Sequence, residues 1–307
     1  MHAILEKIIN REFGSKILSI NDISLGWSGA GVYAVKTIEN RLIVKLRAKE
    51  NEPSFEDESV ENRVYGSRFS NLMPAYKILI EGGILVPEIL AFGEQDNYIY
   101  AVMVELEGDT KISQEMVGEE LGRIHTITRE YHGWIDTTFK ADWKNDFFTA
   151  IDIQLKKAAD ANPTVREKVK EIESFIAGKK SNWVSPREFV LSHTDGFQAM
   201  AKEQNGKFIL TGVIDLEDYA FTDQRFVLSG LDLLNDWWMH DKLSDQFWSS
   251  YKKHKEVDPS YTTFKNLFQL FYILSWLPGY YTNPRSSEAK RQATITEAEK
   301  RLFDLLK

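Results

Sequence analysis

The stretch that decides the fold is HTDGFQAMAKEQNGKFILTGVIDLE, residues 193–217. Asp195 follows the β-rich run FVLS, and Asp215 ends the β-rich run FILTGVID. Asn205-Gly206 between the two carboxylates is typical of a tight hairpin turn. Because a hairpin of this length brings its two ends together, the sequence predicts that both carboxylates face one cleft. One of them would act as a base and the other as a metal ligand.

A second group of candidate residues lies near the N-terminus. Residues 31–38 (GVYAVKTI) and 41–47 (RLIVKLR) are both β-rich, which predicts two neighbouring strands. Side chains alternate between the faces of a strand, so Lys45 lies on the face opposite to the row that contains Leu42. A loop rich in Gly and Ser, residues 26–31 (GWSGAG), precedes these strands.

The chain divides into a β-rich first part and a helical second part. The pattern predicts an α+β fold with two lobes, residues 1–105 and 106–307, and a connector near 104–110. Further predicted strands lie at 98–106, 189–193 and 208–215, and predicted helices lie at 53–70, at 113–130 with Ser113 as cap, and over the aromatic-rich segment 228–307.

Composition excludes several classes of function. The chain has no cysteine, which excludes disulfides, thiolate metal sites and a cysteine nucleophile. Its formal net charge of −8 and the lack of a basic cluster argue against a nucleic-acid partner. The N-terminal segment lacks the apolar run of a signal peptide, and no run of about 18 apolar residues predicts a membrane span. We therefore expect a cytoplasmic protein with no membrane partner; its oligomeric state stays open.

Five segments of the chain resemble motifs of the aminoglycoside phosphotransferase-like enzymes, which are related to choline kinase and to protein kinases. The resemblance spans roughly residues 20 to 240, and the five segments occur in the family's order. It implies a two-lobed protein-kinase-like fold and ATP- or GTP-dependent, Mg²⁺-assisted phosphoryl transfer to a hydroxylated small molecule, such as an aminoglycoside or another metabolite. The segments are 86–90 (VPEIL), 103–108 (MVELEG), 121–125 (LGRIH), 193–195 (HTD) and 213–217 (VIDLE).

The resemblance also implies a role for each of the central residues. Asp195 would be the catalytic base that orients the acceptor hydroxyl, and Asp215 would hold Mg²⁺. Lys45 would contact the α- and β-phosphates of the nucleotide. Glu61, on the predicted helix 53–70, would pair with Lys45, although Glu58 lies one turn earlier on the same face of that helix.

The remaining nucleotide contacts implied by the resemblance come from loops. Ser28 and Gly29 would cover the phosphates. Backbone groups around Val104 and Leu106 would hold the adenine, and backbone groups do not distinguish ATP from GTP.

The chain departs from the family pattern at two positions. The family has a metal-binding Asn five residues after the catalytic Asp, where this chain has Met200, and its Gly after the His is Thr194. A thioether does not ligate Mg²⁺, which prefers oxygen, so Gln198 is the candidate substitute ligand. The sequence therefore supports two hypotheses. The chain is an active small-molecule kinase, or it is a degenerate relative that binds a nucleotide or a partner without turnover.

Two features of the second part allow more than one interpretation. Its acidic residues after Asp215 could form an acceptor pocket for a polyamine-like substrate, or they could be solvated and structural. Its tryptophans could line a pocket, but their helical spacing favours the core. His193 and His125 are expected to be structural rather than catalytic. The acidic residues are Glu217, Asp218, Asp223, Asp232 and Asp236, and the tryptophans are Trp237, Trp238, Trp248 and Trp276.

Overall fold

The computed structural model describes residues 1–23, 30–52, 59–110, 112–136, 140–239, 242–282 and 287–307. The first part contains a five-stranded antiparallel sheet, ordered β1-β2-β3-β5-β4. Alternate side chains of its central strand are buried against a helix at the N-terminus, because the strand has one apolar face. The elements are α1 (His2–Phe13), β1 (Ile17–Asp22), β2 (Gly31–Thr37), β3 (Arg41–Ala48), α2 (Val60–Val64), α3 (Leu72–Glu81), β4 (Ile89–Gln95) and β5 (Tyr98–Val104).

The predicted strands of this sheet are confirmed, but the helix predicted over 53–70 is not. Within the described residues 59–70, α2 is the only α-helical segment, and a 3₁₀ turn follows at Phe69–Asn71. Ser59 caps α2, since its side chain accepts a hydrogen bond from the backbone N–H of Asn62. Residues 53–58 lie outside the described part of the chain.

The second part is mainly helical, as predicted, and its helices surround two small sheets. Ser113 caps α4 as expected, but the helix ends at Ile124 and a short strand follows. The elements are α4 (Gln114–Ile124), β6 (Thr128–Arg129), β7 (Gly133–Trp134), α5 (Trp143–Ala161), α6 (Pro163–Glu167), α7 (Val169–Ser181), β8 (Phe189–His193), β9 (Ala199–Gln204), β10 (Lys207–Val213), β11 (Tyr219–Thr222), α8 (Gln224–Leu234), α9 (Asp245–Tyr251), α10 (Tyr261–Thr282) and α11 (Glu288–Leu305).

The hairpin predicted around Asn205-Gly206 is present, with one correction. Its first strand is β9, which pairs antiparallel with β10, whereas β8 pairs with β6 and β11 in a separate four-stranded sheet. At the open end of the hairpin, the backbone N–H of Ile214 donates to the carbonyl of Gln198 at 3.0 Å. The hairpin therefore brings together the segments after Asp195 and before Asp215, as the sequence predicted.

The larger hydrophobic core crosses the boundary predicted between the two lobes. Leu72 and Leu79 of α3 belong to the same buried cluster as Phe147 of α5 and Phe268 of α10. A separate, smaller cluster lies between α1 and the five-stranded sheet. No helix in the described ranges has the length and apolar character needed to cross a membrane.

Candidate functional site

Lys45 of β3 is the centre of a buried charge cluster. Its ammonium Nζ lies 2.7 Å from Asp215 Oδ1 and 2.7 Å from Glu217 Oε1, and both Lys45 and Glu217 are almost fully buried. Burial alone would lower the pKa of the Lys45 amine, but the two carboxylates outweigh it and raise the pKa above its usual value. The amine therefore stays protonated and offers a fixed positive charge.

Asp215 lies at the end of the hairpin in an unusual backbone conformation. Its φ and ψ are 57° and 49°, a left-handed conformation that Asp adopts more readily than most residues. Burial raises the pKa of Asp215, but the charge and hydrogen bond of Lys45 outweigh that effect and the pKa is lowered overall. Asp215 is thus ionised at neutral pH, and its side chain remains partly open to the cleft.

The pairing of Lys45 with Glu61 predicted from the sequence is wrong. The Glu61 carboxylate instead accepts hydrogen bonds from Gln154 Nε2 and Lys157 Nζ of α5, both at 2.7 Å. Since α2 packs against α5, its acidic side chain faces that helix and not β3. The carboxylate that pairs with Lys45 in place of Glu61 is Glu217, which the sequence suggested only as part of an acidic acceptor pocket or as a structural residue. Glu58 lies outside the described residues.

Asp195 lies in the loop between β8 and β9 and is held by a tyrosine from the first part of the chain. The Tyr65 hydroxyl donates to Asp195 Oδ1 at 2.6 Å and accepts a hydrogen bond from Trp276 Nε1 at 2.9 Å. The protein atoms packed around the Asp195 carboxylate raise its pKa, and the Tyr65 hydrogen bond offsets part of that rise, although the residue stays exposed on its cavity side. Asp195 Oδ2 has no hydrogen-bond partner among the residues that the structure describes.

The loop that carries Asp195 is fixed by its neighbours. The backbone N–H of Asp195 donates to His193 Nδ1 at 3.2 Å, which agrees with the structural role expected of His193. The hydroxyl of Tyr272, from α10, donates to the carbonyl of Thr194 at 2.9 Å. The loop therefore presents the Asp195 carboxylate from a rigid support.

An apolar interlobe cleft leads to the Lys45 cluster. Val104 and Leu106, whose backbone groups the resemblance assigned to the adenine, both line this cleft, and the backbone N–H of Val104 already donates to the carbonyl of Glu88. Within the described part of the chain, no hydrogen bond uses the backbone N–H of Leu106. Gly108 also lines the cleft, and a Cβ there would lie only 2.0 Å from the carbonyl of Ala201, so this approach requires glycine.

Met200 and Gln198 occupy different places in the loop and hairpin. Met200, on β9, lines the interlobe cleft, so its side chain forms part of an apolar wall. Gln198 precedes β9 and uses its backbone carbonyl to close the hairpin. Its side-chain amide has no hydrogen-bond partner in the described ranges. The remaining predicted site residues, Ser28 and Gly29, lie outside the residues that the structure describes.

An aromatic cavity opens on the other side of Asp195. It encloses about 410 Å³, within the range of ~300–1,000 Å³ usual for small-molecule sites. Trp276 is therefore part of a cavity wall, whereas Trp237 is buried in the core as the helical spacing favoured. The sequence offered no signal for Tyr65, whose contacts are 130 and 211 residues away along the chain. The lining residues are Tyr65, Asp195, Leu234, Ser275, Trp276, Gly279 and Tyr280.

The acidic residues after Asp215 do not line this cavity, and most of them pair with cationic side chains. Asp223 forms a buried ion pair with Arg225, at 2.6 Å between Arg225 Nη2 and Asp223 Oδ2. Asp218 lies 3.6 Å from the His193 ring, and burial raises the pKa of its carboxyl group. The structure thus favours the structural interpretation of these carboxylates. The other pairs are Glu217 with Lys45, Asp232 with Lys265, and Asp236 with Arg301.

No protein-family model matches the sequence, and no curated protein is similar to it at the sequence level. Solved structures of kinases, however, share the fold over nearly the whole chain. A microcompartment-associated aminopropanol kinase has a TM-score of 0.67 at 10% identity, covering 100% of this chain and 95% of that one. A thermostable mutant of an aminoglycoside phosphotransferase has a TM-score of 0.64 at 15% identity, covering 98% of both chains.

A third similar structure contains bound ligands. An amicoumacin kinase in complex with AMP-PNP, Ca²⁺ and Ami has a TM-score of 0.63 at 12% identity, covering 99% of this chain and 93% of that one. At such low identity these likenesses concern the fold. They confirm that the chain has the two-lobed, protein-kinase-like fold of the aminoglycoside phosphotransferase-like enzymes.

Proposed function

We propose that the protein is a small-molecule kinase that transfers the γ-phosphate of ATP or GTP to a hydroxyl group. The observation that carries this proposal is the placement of Asp195 and Asp215. Asp195 lines the aromatic cavity and Asp215 lines the interlobe cleft. The pKa of Asp195 is raised chiefly by the surrounding protein and, to a smaller extent, by the negative charge of Asp215. A nucleotide in the cleft and an acceptor in the cavity would therefore meet between the two carboxylates.

In the proposed step the acceptor oxygen attacks the γ-phosphorus in line with the bond to the leaving nucleoside diphosphate. As the new P–O bond forms and the old one breaks, the hydroxyl proton passes to Asp195 Oδ2, which is open to the cavity. Lys45 provides positive charge beside the α- and β-phosphates. Most of the rate enhancement in phosphoryl transfer comes from such positioning and charge stabilisation.

The residues beside the phosphate end of the cleft fit a magnesium ion. Asp215 offers an ionised carboxylate, and Gln198 offers an amide oxygen that no described residue uses. The described residues contain no cluster of three acidic or histidine side chains, but Mg²⁺ on a nucleotide takes much of its coordination from phosphate and water. When bound, the ion would neutralise charge on the phosphates. Met200, in the cleft wall, would contact the base instead of the metal.

The cleft walls suit a nucleotide base. The Leu106 backbone N–H would donate to the base, and the apolar side chains of Val104 and Met200 would cover its faces. Ser28 and Gly29 remain the residues proposed to cover the phosphates. The similar amicoumacin kinase structure with AMP-PNP supports a nucleotide as a ligand of this fold.

The proposal is tested by the formation of ADP or GDP with Mg²⁺ and a panel of hydroxylated acceptors. The wild type should release the diphosphate in an acceptor-dependent way. Asp195→Asn should lower kcat by about 10²–10⁴-fold, since it removes the base but keeps its shape. AMP-PNP should bind the variant as tightly as the wild type. Asp160→Asn, an exposed carboxylate on α5, is the matched control and should keep full activity.

Two outcomes would contradict the proposal. Unchanged turnover in Asp195→Asn would remove Asp195 from the mechanism. Nucleotide binding without phosphorylation of any acceptor, together with activity created by Met200→Asn, would identify the chain as the degenerate binder.

A further inference from the structure

The polar groups of the aromatic cavity are largely used within the protein. The indole N–H of Trp276 donates to the Tyr65 hydroxyl, and that hydroxyl donates to Asp195 Oδ1. Neither aromatic side chain therefore has another N–H or O–H group to donate to a ligand. What they present to a ligand is ring surface, which favours a ligand with a flat apolar face.

Among the lining side chains whose hydrogen bonds the structure describes in full, Asp195 and Ser275 each offer an oxygen that suits an alcohol. Asp195 Oδ2 is open to accept a hydrogen bond from a hydroxyl group. The Ser275 hydroxyl donates to the Phe271 carbonyl at 2.8 Å, one turn earlier in α10, so its oxygen can accept a second hydrogen bond from the ligand. Both atoms are acceptors, which complements a molecule with two or more hydroxyl groups.

The charge of the cavity argues against a polyamine. Among the described lining residues Asp195 is the sole carboxylate, and the base must remain free to take the proton of the reacting hydroxyl. The acidic residues that could have neutralised an ammonium group are paired elsewhere with Lys45, Arg225, Lys265 and Arg301. An ammonium group in the cavity would either lose its hydration without a counterion or compete for the base.

The geometry points to an uncharged, ring-bearing alcohol, such as a sugar or an aromatic alcohol, as the acceptor in the aromatic cavity. This inference rests on the proposed kinase function, because it takes the cavity as the acceptor site. The ring would stack on Trp276 and Tyr65, its reacting hydroxyl would donate to Asp195 Oδ2, and a second hydroxyl would donate to Ser275.

The experiment measures binding by calorimetry to the full chain saturated with AMP-PNP and Mg²⁺, so that turnover is not required. The probes are pairs that differ chiefly in charge: glucose and glucosamine, 3,3-dimethyl-1-butanol and choline, maltotriose and kanamycin. An uncharged ring compound, glucose or maltotriose, should bind at least about tenfold more tightly than its cationic partner. Trp276→Leu should weaken that binding about tenfold, because a stacking surface is lost. Trp248→Leu, in a separate hydrophobic cluster, is the control and should not change it.

The outcomes separate this inference from the proposed function. Failure of AMP-PNP to bind the wild type would overturn the proposed kinase itself. If AMP-PNP still binds, any of three results would overturn the acceptor inference without affecting the proposed kinase. These results are tighter binding of the cationic members, no binding of any uncharged ring compound, and no effect of Trp276→Leu. Choline binding better than 3,3-dimethyl-1-butanol would identify the cavity as a cation–π site. If Trp276→Leu fails to bind AMP-PNP and is therefore misfolded, Ser275→Leu, which fills the cavity but keeps its aromatic wall, should abolish sugar binding.

Discussion

The interlobe cleft and the aromatic cavity meet at the same pair of carboxylates but are built in different ways. The inner end of the cleft is charged and ordered by Lys45, which joins Asp215 and Glu217 through salt bridges. The cavity is lined by aromatic side chains. Trp276 donates a hydrogen bond to the Tyr65 hydroxyl, which in turn donates to Asp195. In the proposed kinase, the cleft would therefore supply the groups that any phosphoryl transfer needs, whereas the cavity would select the acceptor. Three predictions test this division, beginning with the largest effect.

Loss of the Lys45 ammonium should be the most damaging change, because it leaves Glu217 buried without its cation. We expect Lys45→Met to lower the free energy of unfolding by about 3–5 kcal/mol. Glu217→Gln in the same chain should recover part of that loss. Urea unfolding of the two single variants and the double variant measures the effect.

The matched control for this cluster is Lys7→Met, since Lys7 forms an exposed ion pair with Asp96. Its cost should be at most about 1 kcal/mol. A double variant no more stable than Lys45→Met would show that Glu217 does not depend on this lysine.

Removal of the Gln198 amide should weaken the response to magnesium without unfolding the protein. We expect Gln198→Leu to raise the Mg²⁺ concentration for half-maximal activity about tenfold or more, because a ligand oxygen is lost. Magnesium titrations at fixed ATP measure it. Gln204→Leu, at the exposed end of the same hairpin, is the control. The prediction is contradicted if Gln198→Leu leaves the Mg²⁺ concentration for half-maximal activity unchanged while Met200→Asn lowers it. That result would indicate that the metal ligand belongs at position 200.

The smallest expected effect concerns Tyr65, which belongs to the aromatic cavity but acts on the base. Its hydrogen bond stabilises the ionised form of Asp195 and lowers the pKa of that carboxyl group. Tyr65→Phe should therefore raise the pKa of Asp195, and the acidic limb of the pH–rate profile should move to higher pH. Activity should therefore fall further on the acidic side of the profile than on its alkaline side, because Asp195 of the variant stays protonated to a higher pH.

Profiles of kcat against pH from about pH 5 to pH 9 give this result directly. Tyr281→Phe, at a partly exposed tyrosine that contacts Asn162, is the control and should leave the profile unchanged. A shift of the acidic limb to lower pH would mean that Tyr65 does not stabilise the charged base.

The cleft was largely predictable because its chemistry lies in short motifs with local geometry. Asp195 and Asp215 flank one hairpin, and strand alternation places Lys45 on the cleft face of β3. The Glu61 prediction failed for a physical reason. Periodicity places residues on a helix face but does not say what that face packs against, and α2 packs against α5.

The proposed metal ligand shows again that local sequence spacing does not determine tertiary position, here within a loop. Counting residues from Asp195 led to Met200, but the structure places Met200 in the cleft wall and leaves the Gln198 amide without a partner among the described residues. The start of β9 is set by its pairing with β10, and spacing along a motif does not show where that pairing begins.

By itself, the sequence determined the two-part α+β organisation, the carboxylate pair and the lysine on β3, because hydrophobic periodicity and turn residues act over a few positions. Only the tertiary structure decided that Glu217 partners Lys45, and that Tyr65 and Trp276 reach Asp195 to wall a cavity. These contacts join residues more than a hundred positions apart, and they depend on how helices pack around a common core. No local pattern in the chain encodes that packing, so the motifs predicted the carboxylate pair and the lysine but not the aromatic cavity that we propose as the acceptor site.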